Sequence, residues 1–125
     1  MESCLLKEVE KQEKIARQFG FYWEHFSQLI EQIQSECREI EEAWQKKDRG
    51  HLQEEIGDLM QATASLAVFC AFDPHETLLK ATEKFQKRYN KLVELAIRDG
   101  HADLQHQSFE VLTDYWKKAK EDCLN

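Results

Sequence analysis

"LQEEIGDLMQATASLAVFCAF", residues 52–72, decides how this chain folds. It contains no Pro, one Gly near its start, and no alternation of apolar and polar residues. Leu52, Ile56, Leu59, Thr63, Leu66 and Cys70 recur at spacings of four, three, four, three and four. That period belongs to a helix; a strand would need a period of two. Beyond Gln61 the stretch is apolar nearly all round, which predicts a helix buried on most sides. One small bundle offers too little surface to bury it, so the chain is expected to self-associate, most simply as a two-fold dimer and otherwise as a tetramer.

Working outward, Phe26, Ile30, Ile33, Cys37, Ile40 and Trp44 form a second apolar seam with the same helical spacing. The stretch "KKDRG" (46–50) separates the two helices. Downstream, Asp73 suits an N-cap, Pro74 a first helical position and Glu76 a capping box. They open a long helix with a seam at Leu78, Thr82, Phe85, Tyr89, Leu92 and Ala96, closed by Gly100. Ser108 can cap a last helix ending near Lys120, and a further helix is expected over residues 3–18. Strand signals are nearly absent. The expectation is an all-α bundle of four to five helices forming a single domain, residues 1–125, a length that carries one core and not two.

The composition excludes several functions. Charged residues make up 33% and hydrophobic residues 42%, as in a folded globular chain and not a disordered one. The longest apolar run, Leu66–Phe72, falls far short of the ~18 residues of a membrane span. The opening "MESCLLKEVEKQEK" is too charged for a secretion signal. The net charge of −7 comes with no basic stripe, which argues against nucleic-acid binding. The four cysteines are scattered, with no CxxC pair, and read as reduced thiols of a cytoplasmic protein. The five histidines show no metal-ligand spacing and read as surface residues.

Carboxylates three residues apart are common here, and each such pair alone reads as a solvated helix face. Glu36/Glu39 and Glu55/Asp58 differ from the others in register. In an antiparallel pair, residues at one level have numbers of constant sum. Glu39 with Glu55 and Glu36 with Asp58 both give 94, a midpoint at residue 47, inside the break. At about 100° per residue both pairs also lie to the same side of their apolar seams. Four carboxylates should therefore converge, and they repel unless cations neutralise them. All-oxygen ligation suits Mg²⁺, with Mn²⁺ able to substitute. A di-iron site of the ferritin kind would need Glu-x-x-His, which never occurs here.

"ECRE" (36–39), fifteen intervening residues and "EIGD" (55–58) resemble the E-x-x-E…E-x-x-D signature of the MazG-type nucleoside triphosphate pyrophosphohydrolases. "KFQKRY" (84–89) is similar to that family's K-F-x-x-R segment, and "WKKAK" (116–120) to its closing W-x-x-x-K. The resemblance implies an all-α dimer or tetramer that cleaves (deoxy)nucleoside triphosphates to monophosphate and pyrophosphate with Mg²⁺. It also implies that Glu36, Glu39, Glu55 and Asp58 hold the metal, and that Lys84, Arg88 and Lys120 contact the triphosphate. Such an enzyme serves nucleotide-pool sanitation, or takes a narrower substrate such as dUTP, dCTP or phosphoribosyl-ATP.

Read by themselves, Lys84 and Arg88 are helix neighbours that serve solubility or grip phosphate. Trp116 either packs in the core or covers a nucleotide. The cluster Phe19, Phe21, Tyr22, Trp23 and Phe26 reads as core, part of it available to stack a base. It lacks the P-W-D and Q-T-H stretch of larger MazG-type proteins, which leaves base and sugar preference open. The competing reading is a non-enzymatic helical module whose acidic face binds a basic partner.

Overall fold

Five helices follow one another in a computed structural model that describes residues 4–124: α1 (Leu5–Phe19), α2 (Phe26–Gln45), α3 (Arg49–Phe69), α4 (Pro74–Arg98) and α5 (Phe109–Asp122). No strand occurs among the described residues, so the chain is all-α as its periodicity requires. Residue 3 of the first expected helix lies outside the described residues. Internal contacts group the chain into two compact units, Met1–Thr77 and Leu78–Asn125, with the boundary inside α4.

In the first unit α3 is the central element, and both α1 and α2 pack on it. The break between α2 and α3 is shorter than "KKDRG". Asp48 turns its side chain onto the His51 amide at 3.1 Å, and the helix resumes at Arg49. Lys47 makes the reversal at a left-handed φ of 57°. Upstream, Gln28 accepts from the backbone N–H groups of Glu24 and His25 at 3.0 Å, satisfying donors at the start of α2. α3 stops at Phe69, three residues before its apolar run ends. Ala71 there adopts φ 65°, and the Ala71 and Phe72 amides bond back to the Val68 and Ala67 carbonyls. This is a Schellman closure built on Ala instead of Gly.

The buried faces of α2 and α3 differ from the apolar seams. On α2 the buried residues are Leu29, Glu36 and Ala43, and on α3 they are Leu52, Glu55, Ala62, Ala64 and Ser65. Leu52, which belongs to the seam itself, and Ala64 aside, both lines are rotated by roughly 80–90° from the seams, in the same sense, toward the carboxylates. The seams are left partly open: Trp44 is 66% exposed, Phe26 52% and Ile56 42%. Ile56, expected on the seam, is therefore outward-facing, as is its neighbour Met60, while Glu36 and Glu55 are buried.

In the second unit the core consists of Leu95 and Ala96 of α4 with Tyr115 and Ala119 of α5, flanked by Leu92, Leu104 and Val111. Tyr115 donates to Asp99 Oδ2 at 2.8 Å, tying the end of α4 to α5. Ser108 caps α5 by accepting from the Val111 amide, and Gly100 ends α4 at φ 90°.

Candidate metal and catalytic site

α2 and α3 place one carboxylate oxygen each of Glu36, Glu39 and Glu55 within 4.8 Å of one another. The register made this possible: the turn centres on Lys47, so residues 39 and 55 stand level across the hairpin. Asp58 lies outside this trio. It is about 60° further round α3 from Glu55 and is exposed, although its charge still acts on Glu36.

The two buried glutamates are each held at one oxygen only. Gln32 Nε2 donates to Glu36 Oε1 at 2.7 Å, and His51 Nε2 pairs with Glu55 Oε1 at 2.9 Å. The second oxygens, Glu36 Oε2 and Glu55 Oε2, are buried with no hydrogen-bond partner among the described residues. A buried, unsatisfied carboxylate oxygen costs several kcal/mol at an order-of-magnitude level, so such atoms are rare without a reason.

The electrostatics carry the same message. The Glu36 carboxyl is pushed up to about 7, first by burial and then by the facing Glu55 carboxylate, with Glu39 and Asp58 adding repulsion. Glu39 is also raised, chiefly by Glu55 beside it. Glu55 is lowered, chiefly by its side-chain interactions with the neighbouring Glu39 and Glu36, with His51 assisting. The donor set fits a hard divalent cation: only oxygens, predominantly anionic, with two lone-pair-bearing atoms free.

The other expected site residues belong to the second unit. Lys84 and Arg88 stand one turn apart on α4, and Trp116 and Lys120 one turn apart on α5. The helices meet where Trp116 packs on Phe85, ring centroids 5.5 Å apart. Trp116 is half-buried there. Lys84 and Lys120 are exposed, while Arg88 is half-buried with its Nε enclosed and unpartnered among the described residues.

Of the N-terminal aromatics, Phe21, Tyr22 and Trp23 line a recess of about 470 Å³ in the first unit with Gln12, Glu13 and Gln28. Phe19, 90% exposed, and Phe26 take no part in it. Arg17 stacks over the Tyr22 ring at 4.7 Å. The residues that sequence reasoning missed are Gln32 and His51. The signal was present in their spacing: each stands four residues before a buried glutamate.

The model of the MazG nucleotide pyrophosphohydrolase domain matches residues 24–93, which include all four carboxylates, Lys84 and Arg88 but not Trp116 or Lys120. The chain is similar to the nucleoside triphosphate pyrophosphohydrolase/pyrophosphatase MazG of Thermotoga maritima, 41% identical over 105 residues, covering 84% of this chain and 40% of that protein. It is also similar to the nucleoside triphosphate pyrophosphohydrolase of Escherichia coli, 26% identical over 117 residues, covering 92% of this chain and 44% of that protein. The chain spans less than half the length of these curated relatives. With more than half of its residues matched and its carboxylates inside the matched segment, the chain belongs to the MazG nucleotide pyrophosphohydrolase domain family.

Proposed function

We propose that the chain hydrolyses nucleoside triphosphates to the monophosphate and pyrophosphate, with Mg²⁺ held by Glu36, Glu39, Glu55 and Asp58 and with Mn²⁺ able to replace it. The observation that carries this reading is the pair of buried oxygens, Glu36 Oε2 and Glu55 Oε2, left without partners inside a three-glutamate cluster. When bound, the cation supplies charge neutralisation and water activation. Glu39 or Glu55 takes the proton from the attacking water. The water oxygen adds to phosphorus, the α–β anhydride bond breaks, and pyrophosphate leaves. Lys84, Arg88 and Lys120 neutralise the charge that builds on it.

The aromatic recess supplies a place for the base. Gln28 lines it, and Gln32 and Glu36 follow at successive turns of α2, about 12 Å along the helix in all. The open seams around Phe26, Trp44, Ile56 and Met60 support a homodimer, or a tetramer, that covers them. No helix among the described residues is long and apolar enough to cross a membrane, and all four cysteines are free, which suits a reducing cytoplasm.

The test is a panel of ribo- and deoxynucleoside triphosphates with Mg²⁺, including dUTP, dCTP and phosphoribosyl-ATP, with products resolved. Monophosphate plus pyrophosphate is expected, and Glu39→Ala or Asp58→Ala should abolish it with helicity intact. Release of orthophosphate with diphosphate would refute the reaction. Full rates in either variant would refute the site, and silence across the panel would favour a binding module.

A further inference from the structure

The two buried glutamates share an arrangement that the family signature does not contain. Each offers one oxygen to the side chain four residues earlier on its own helix and leaves the other bare. Gln32 holds Glu36 Oε1 at 2.7 Å, and His51 holds Glu55 Oε1 at 2.9 Å. On an open helix surface such i,i+4 pairs add only a few tenths of a kcal/mol. Here their glutamates are 6% and 9% exposed, so an alternative rotamer would have to break a buried contact.

The register gives the pairs opposed directions. Because α2 and α3 run antiparallel about residue 47, Gln32 lies one turn from Glu36 toward the open end of the hairpin. His51 lies one turn from Glu55 toward the closed end. The two contacts draw their carboxylates apart along the hairpin axis. The second oxygen of each glutamate, buried and without a hydrogen-bond partner among the described residues, is the one left free for a cation.

We infer that Gln32 and His51 are positioning residues that fix the rotamers of Glu36 and Glu55 and so present Glu36 Oε2 and Glu55 Oε2 to a divalent cation. This rests on the metal site proposed above, and it adds two residues to the machinery that neither the motif nor charge counting selects. Removing such a supporting contact typically weakens metal affinity by about 10–100-fold. Both residues only donate here, so an amide should replace the imidazole. Gln32 itself demonstrates that Gln reaches a Glu four residues on.

The experiment is a titration of the full chain with Mn²⁺ alone, read by electron paramagnetic resonance of the free ion, beside circular dichroism and thermal melting of the metal-free protein. His51→Ala and Gln32→Ala should each weaken Mn²⁺ binding by about tenfold or more, with helicity unchanged. His51→Gln should hold affinity within about threefold of the native chain, which a role specific to imidazole chemistry would not allow. A purely structural contact would lower the melting temperature and leave Mn²⁺ affinity where it was. Alanine variants that bind Mn²⁺ as the native chain does would overturn the inference, as would a His51→Gln as weak as His51→Ala. If the native chain binds Mn²⁺ and Glu36→Gln abolishes this while both alanine variants bind normally, only the positioning role fails. A native chain that binds no Mn²⁺ would overturn the metal site as well.

Discussion

At the scale of single residues, the metal-free chain holds a tension that its pH dependence should expose. Glu36 has a folded pKa of about 7 against an ordinary 4.5, so between those values the folded state binds the extra proton. Stability contributed by that proton is present below pH 4.5 and is lost as pH rises toward 7. Glu55 is shifted the other way, and its contribution therefore fades only as pH falls below 4.5. In chelator, the urea midpoint of the native chain should decline from pH 5 to pH 8, and Glu36→Gln should remove most of that decline. An unchanged slope in the variant would contradict this. Tyr115 gives the opposite sign: its hydrogen bond holds Asp99 below the usual carboxylate value of 3.8. Tyr115→Phe should lower the unfolding midpoint at pH 7, and the gap to the native chain should close as pH falls below 3.8.

The elements owe their ends to individual side chains, and two of those ends can be tested. Asp48→Ala removes the cap of α3 and should cost about 1 kcal/mol in denaturant unfolding. Ala71→Gly relieves a left-handed backbone and should add about 0.5–1 kcal/mol by the same measurement. The contrast also explains what was legible in the sequence. Ser108, Pro74 and Gly100 announce helix ends by residue type, and the structure uses them so. Ala71 announces nothing, since its conformation is imposed by the closing bonds from Ala71 and Phe72, and α3 therefore ends three residues earlier than its apolar run. The hairpin register was readable because a constant sum fixes levels. The helix rotation was not, because the apolar seams in α2 and α3 mark the surfaces with the most carbon, whereas the residues buried include small ones, Ala43 and Ala62, that carry little of it. That rotation buries Glu36 and Glu55, and it makes Gln32 and His51, which a charge-by-charge reading passes over, the neighbours that matter.

For the molecule as a whole, the exposed carbon on and beside those seams predicts association. Met60 is 69% exposed and Trp44 66%, values that suit residues awaiting a partner surface. Sedimentation equilibrium should give a multiple of the 14.8 kDa chain mass, and Met60→Glu should shift the distribution toward that mass. A native chain that sediments as a monomer at high micromolar concentration would contradict the prediction. The α2–α3 turn has a further consequence, in the time domain. Fifteen residues separate Glu39 from Glu55, so the carboxylates meet by closing one short loop and need no distant segment to arrive first. Contacts this local form early on the folding route. Repulsion among the glutamates would then oppose the transition state and not merely the native state. A divalent cation should accordingly quicken refolding, beyond slowing unfolding, and the hairpin would set the tempo for the rest of the chain.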